Sequence, residues 1–298
     1  MCKQIYLKLN QIDGIGIKSI LQFRSFIKDN NIEISTLNNT DIVDIYKKLK
    51  SKDKRIKVPT IDEVKAKDEK AIKIIEDCTK FRIKITTIED KDYPNEFRNI
   101  DTPPILYYSR GNHKALLENK KIAIIGTRNP TKRGKRLAYK IAEYLTDRNY
   151  VIVSGLAYGC DTFGHMGCVD NGGKTVATLP TDLINIYPKE NIKLAEKILE
   201  NKGCLISEYP IGTKLNRYHF IERDRLQAAL SKVVIVIETD LNSGTMHTVK
   251  FTQKYGKKLA CLTYPKEYSK YKSLQGNKVL LKKEDTIKIS GLKDLEEL

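Results

Sequence analysis

Three segments of the 298-residue chain place glycine and small hydroxyl side chains at or just beyond the ends of apolar runs: Gly126-Thr127-Arg128-Asn129, Ser154-Gly155-Leu156-Ala157-Tyr158-Gly159 and Ser243-Gly244-Thr245. Glycine lets a backbone approach an anion closely, hydroxyls donate to its oxygens, and a helix N-terminus presents free N–H groups. Together such residues build a phosphate cradle. Any one of these loops reads equally well as a tight strand-to-helix turn. Three in register, beyond the carboxyl ends of strands, favour the cradle. Arg128 sits inside the first loop, where a guanidinium can hold a phosphate at two points. Arg223 and Arg225 fall in Phe220-Ile221-Glu222-Arg223-Asp224-Arg225. An i, i+2 pair points to two helix faces, so at most one of them faces a ligand and the other is left to a carboxylate. Tyr187-Pro188-Lys189-Glu190-Asn191 offers a ring for stacking and a cation for a backbone, although Asn191 also fits a plain helix cap.

The candidate binding set is therefore Gly126, Thr127, Arg128, Ser154, Gly155, Ala157, Gly159, Tyr187, Lys189, Arg223, Arg225, Ser243, Gly244 and Thr245. No loop has the GxGxxG or GxxxxGK[ST] spacing, so neither a dinucleotide cofactor nor a P-loop is expected. Asp161 and His165 share a helix at i, i+4, but no nucleophile or second carboxylate completes a catalytic site. His219 and His247 stand alone, and the six cysteines form no CxxC pair. Structural histidines, reduced thiols and no metal are expected. These residues suit a binding protein rather than an enzyme.

The elements that position them read as alternating strands and helices from Lys120 onward. Ile122 to Ile125 is a short, wholly apolar run, as a strand covered on both faces must be. Gly134 to Asp147 repeats Leu137, Ala138, Ile141, Ala142 and Leu145 on one helical face. Strands follow at Val151–Val153, Thr175–Leu179, Cys204–Ser207, Val233–Glu238 and Leu259–Leu262, with helices at 161–171, 191–201, 220–230 and 245–255. This alternation predicts right-handed βαβ units and an α/β, doubly wound, mostly parallel sheet. Ahead of it, Phe81–Thr87 and Ile105–Tyr108 read as short strands. Residues 1–65 read as a small helical N-terminal domain of the helix-hairpin-helix or SAM-like kind, and 66–298 as the core. In the first, Asp13-Gly14-Ile15-Gly16 is a turn that fits half a helix-hairpin-helix or a plain helix–helix turn. Residues 51–70, with Pro59 inside, look like a charged linker running into a helix.

Lys and Arg total 54 against 37 Asp and Glu, a formal charge of +17. Such a balance favours a polyanionic partner, although a compositional drift towards Lys supplies part of it. No apolar run approaches membrane-spanning length and residues 1–11 lack a secretory core, so a cytoplasmic protein without a membrane partner is expected.

The motifs then become recognisable. Gly126-Thr127-Arg128 resembles the GSR loop of the DNA-processing protein A (DprA/Smf) family. Ser154-Gly155-Leu156-Ala157-Tyr158-Gly159-Cys160-Asp161 with His165 resembles its SGLAxGID…H segment, and Tyr187-Pro188 with Asn191 its YPxxN. Ser207-Glu208-Tyr209-Pro210 with Gly212-Thr213 is similar to SEYPxGT, Phe220 to Ser231 to FxxRNRxIxxLS, and Ser243-Gly244-Thr245 to SGS. The resemblance runs in order over roughly residues 80–295. It implies an extended Rossmann-like core, single-stranded DNA as ligand, a homodimer, and a recombination mediator that protects incoming strands and loads RecA in natural transformation. It also implies DNA contact for Arg128 and the cradle loops, and less directly for Lys189. Asp224 stands where the family has Asn, Cys160 where it has Ile, and Gly164 and Thr239 where Ala is usual. No C-terminal winged helix is expected. The alternative reading is a nucleotide-binding sensor or nucleotide hydrolase of a related Rossmann-like family. Such hydrolases carry PGGxGTxxE, and here no Glu follows Ser243-Gly244-Thr245.

Overall fold

In the computed structural model residues 2–297 are described, and positions 1 and 298, the outer ends of the two expected domains, lie outside the described residues. The chain divides after Tyr108 into two units. The first holds α1 (Cys2–Leu9), α2 (Ile17–Asp29), α3 (Asn39–Lys52), α4 (Ile61–Lys65), α5 (Asp68–Lys80), β1 (Ile83–Thr87) and α6 (Asn95–Arg98). Strand β2 (Leu106–Gly111) runs across the division. Spacings of three and four residues put Ile20, Phe23 and Ile27 on one face of α2, and Ile42, Ile45, Tyr46 and Leu49 on one face of α3. The two faces meet with Phe23 stacked on Tyr46 at 5.3 Å between ring centres.

The structure adds to two sequence expectations here. The charged stretch 51–70 is more than a linker, because Thr60 and Glu63 form a reciprocal capping box that starts α4 and buries Val64. In the glycine turn between α1 and α2, Gly14 has φ +81°. Lys57 Nζ donates to the Asp13 carbonyl at 2.7 Å, so a distant side chain closes that turn.

The second unit alternates without interruption. Its strands and helices are β3 (Lys121–Ile125), α7 (Lys132–Thr146), β4 (Val151–Ser154), α8 (Cys160–Val169), β5 (Thr175–Thr178), α9 (Ile192–Glu200), β6 (Cys204–Ser207), α10 (Arg217–Leu230), β7 (Val233–Val236), α11 (Thr245–Lys254), β8 (Lys258–Leu262), α12 (Gln275–Leu280) and β9 (Thr286–Ile289). Its seven strands pair in parallel in the order β6-β5-β4-β3-β7-β8-β9. The fold is the expected α/β, Rossmann-like, doubly wound sheet. Ile122, Ile124, Val233, Ile235 and Ala260 are fully or almost fully buried among Ala138, Ile141 and Leu145 of α7, which is why these strands are apolar throughout.

The strand order carries the functional consequence. From β3 the chain winds outward through β4, β5 and β6. It then returns along α10 to β7, on the other side of β3, and winds outward again. Ile125 lies in register with Val236, so the loops leaving β3 and β7 start side by side and diverge. A doubly wound sheet opens a crevice at such a switch point, beyond the carboxyl ends of its strands. Among the described residues no helix is long and apolar enough to cross a membrane.

Candidate functional site

A cleft of about 580 Å³ lies at this switch point. Gly126, Thr127 and Arg128 line it from the β3 loop, and Ser243, Gly244 and Thr245 from the start of α11. Ala157 and Asp161 reach it from the β4 side. Its remaining wall is one face of α10, with Arg217, Phe220, Arg223, Asp224 and Gln227 at spacings of three and four. The sequence pattern starts this helix at Phe220 and so misses Arg217 and the shared face. The helix starts at Arg217 because Asn216 accepts from the Tyr218 N–H at 2.7 Å. His247 and Thr248, also in the lining, are not singled out as ligand residues by the sequence. They follow Thr245 on α11 by two and three residues, a signal legible once the helix start is known.

The three expected cradle loops differ in what they offer. The β4 loop has turned its amides inward: Asp161 Oδ2 accepts from Gly155 N at 3.1 Å and Ala157 N at 3.3 Å. Ser154 is fully buried and its Oγ donates to the Ile124 carbonyl at 2.6 Å, between strands, so it is structural rather than cradle-forming. Gly159, at φ +76°, caps α8, and a Cβ there would lie 2.4 Å from the Thr127 carbonyl. In the β3 loop Thr127 N donates to the Glu238 carbonyl and Thr127 Oγ1 accepts from Asn129 N at 3.2 Å, which leaves the Arg128 guanidinium and the Thr127 O–H donor for a ligand. At α11 no side chain caps the helix, and Ser243 Oγ lies 2.7 Å from Thr239 Oγ1. The part of the expected cradle that lies open in the cleft is thus the β3 loop and the start of α11.

The arginines separate as an i, i+2 pair must. Arg225 is buried in a two-point contact with Glu208, at 2.6 and 2.8 Å, and lines neither this cleft nor the crevice beside it. It is an internal strut. Arg223 is 4% exposed and faces the cleft. It lies 3.8 Å from Asp161 and 3.3 Å from Asp224, yet its Nε and Nη1 make no hydrogen bond. Gly155 makes this position possible, since a Cβ there would sit 1.2 Å from Arg223 Nη1. Arg128 lies over the Phe220 ring at 5.2 Å, and Tyr187 meets Phe220 edge-on at 5.7 Å. Tyr187 and Arg128 border a narrow crevice next to the cleft. Lys189 is exposed and lines neither space.

Burial sets the charge states. It pushes the Asp224 carboxyl up to about 7, with the negative charge of Asp161 adding to the rise and Arg223 and Arg128 opposing it. Burial also raises Asp161 in spite of Arg223. His165 lies in the core, driven down to about 3 by burial and then by Arg223. Thr175 Oγ1 donates to the Ile152 carbonyl at 2.7 Å, so at its 2.7 Å contact with His165 it must accept from Nδ1–H. His165 is therefore a neutral core residue hydrogen-bonded to Thr175. Among the described residues no group of three or more His, Cys, Asp or Glu stands placed to hold a metal.

Comparison with known proteins gives this geometry its context. Residues 84–297 match the family described as DNA recombination-mediator protein A. The chain is 39% identical over 174 residues to Protein Smf of Synechocystis sp., a match covering 57% of this chain and 44% of that protein. It spans about half the length of the first curated relatives it matches. The X-ray structure of DNA processing protein A from Streptococcus pneumoniae superposes with a TM-score of 0.80 at 26% identity, covering 100% of this chain and 97% of that one. A structure of DNA processing protein A from Helicobacter pylori, described for its single-stranded DNA binding mode, covers 72% of this chain and 94% of its own at a TM-score of 0.64 and 33% identity. The chain belongs to the DNA recombination-mediator protein A family, the DprA/Smf proteins.

Proposed function

We propose that the cleft holds single-stranded DNA, and that the protein is a recombination mediator that shields a strand and passes it to a RecA-type recombinase. In this reading it works as a cytoplasmic homodimer, without a cofactor or a catalytic step of its own. Residues 66–298 form the binding core and 1–65 a helical accessory domain. The observation that carries the reading is Arg223. A buried guanidinium with unsatisfied donors is costly unless a partner arrives, and a phosphate supplies one. Arg128, Arg217 and the uncapped start of α11 add to that positive end. Phe220 and Tyr187 give faces for bases, a combination that holds single strands with little sequence preference. The Helicobacter relative supports the ligand class. The RecA partner and the dimer rest on family membership.

The test is fluorescence anisotropy of a labelled dT 20-mer and of a duplex of equal length, each over a range of salt. Tighter, steeply salt-dependent binding of the single strand is expected. Arg128→Ala should weaken it and lower the salt slope by about 0.7 to 1, the loss of one phosphate contact. Equal or salt-independent binding would refute the reading. Displacement of the strand by dTMP would favour a nucleotide sensor, for which the cleft is also large enough. Release of free base from dTMP would make the protein a hydrolase.

A further inference from the structure

Four exposed cations, Lys132, Arg133, Lys135 and Arg136, occupy four of the first five positions of α7, with no acidic residue in its first turn. Among the described residues none of the four pairs with a carboxylate. The positive end of a helix repels cations, and the first turn ordinarily selects the opposite charge. Helix stability therefore does not explain this placement. An external polyanion does.

The neighbouring surface has the matching aromatic component. The Arg133 guanidinium lies 5.7 Å from the centre of the Tyr268 ring, and Tyr268 and Tyr271 follow one another at 5.6 Å. Tyr271 is 42% exposed, and Lys270 lies 6.0 Å from its ring centre. One buried carboxylate fastens the two parts together. Glu238 accepts from Thr131 N and Oγ1 at the cap of α7, and from Ser273 Oγ just beyond the tyrosines. The strip is therefore held in place, and Thr131 at its start lies three residues along the chain from Arg128, which lines the cleft.

We propose that this strip carries the continuation of the single strand as it leaves the cleft, with phosphates on Lys132, Arg133 and Arg136 and bases stacked on Tyr268 and Tyr271. Charge complementarity and continuity with the cleft argue for that one occupant. The inference rests on the reading of the cleft given above and adds a second segment to the binding track.

The test compares dT 6-mers with dT 15-mers, which extend further past the cleft. Wild type should bind the 15-mer more tightly, with a steeper salt slope. Lys132→Gln/Arg136→Gln should lower the 15-mer slope by about 1.4, at about 0.7 per single-strand phosphate contact, and leave the 6-mer unchanged. Tyr271→Ala should weaken the 15-mer about tenfold, as expected for one lost stacked base, but not a 15-mer whose last nine positions are abasic. Equal affinity of wild type for the two lengths, or a length effect that survives both variants, would overturn the strip and leave the cleft standing. Equal weakening of 6-mer and 15-mer in the double variant would also overturn it, by placing those cations within the cleft's own effect. A gain with length shown by duplex as strongly as by single strand would overturn the assigned occupant. Failure of wild type to bind either oligomer would overturn the cleft and the strip together.

Discussion

Asp224→Asn should stabilise the protein at alkaline pH and tighten binding of a single strand there. Asp224 is 7% exposed and its carboxyl titrates at about 7 rather than 3.8, chiefly because burial penalises the anion. A tenfold change in proton affinity is worth about 1.4 kcal/mol, so a carboxyl that holds its proton roughly a thousandfold more tightly in the folded chain corresponds to about 4 kcal/mol between the fully protonated and fully ionised limits. A folded-state value above the unfolded one means that the native state binds more protons between about pH 4 and 7. Its stability from this group is therefore full below pH 4, declines through that window and levels off above it. Asp161 contributes with the same sign. His165, held down at about 3, contributes with the opposite one, since its stabilisation is lost as pH falls below about 6.5. The difference between wild type and Asp224→Asn removes the His165 contribution and leaves from Asp161 only its coupling to Asp224, which has the same sign. Asn has nearly the same shape and no charge, and it can still accept from Gln227 Nε2, which lies 3.3 Å from Asp224 Oδ1. Urea unfolding at pH 5, 6, 7 and 8 should show the variant gaining on wild type with each step, by about 2 to 3 kcal/mol in all from pH 5 to pH 8, with the smallest step between pH 7 and 8. In the proposed reading affinity for a dT 20-mer should follow, because an ionised carboxylate beside Arg223 would face the bound phosphates. Parallel stability curves for the two proteins would refute the argument and show that water or the arginines neutralise Asp224 fully.

Other consequences are direct. Arg225→Ala leaves Glu208 buried without its partner and should cost about 3 to 5 kcal/mol by urea unfolding, with more lost at pH 8 than at pH 5 because burial favours the neutral acid; a cost below about 1 kcal/mol would show that the pair is solvated. Gly155→Ala places a methyl on Arg223 Nη1, so a loss of dT 20-mer binding at least as large as that of Arg128→Ala is expected in anisotropy, and unchanged affinity would remove Arg223 from the site. Ser154→Ala removes a donor that faces Ile124 rather than the cleft; it should lower the melting temperature and leave the salt slope untouched.

The class of fold was legible from residue order and type, and so were many of the residues that line the candidate cleft. Wholly apolar runs such as Ile122–Ile125 and Val233–Val236 can only be strands covered on both faces, and the helices between them force a parallel sheet. Glycine and hydroxyl loops beyond those strands made a candidate anion site legible, with Arg128 inside it, because these are properties of local residue type. Which of the candidates share the cleft was settled only by the folded arrangement. Whether Arg223 or Arg225 faces the cleft depends on Glu208, just beyond β6, and on the space left by Gly155. The withdrawal of Ser154 and of the Gly155 and Ala157 amides from the cradle depends on Ile124 and Asp161. The α10 face, from Arg217 to Gln227, became part of the site only because the strand order brings it over the β3–β7 switch point. Local sequence sets conformation and chemistry, whereas burial and partnership are set by which distant segments the topology places in contact.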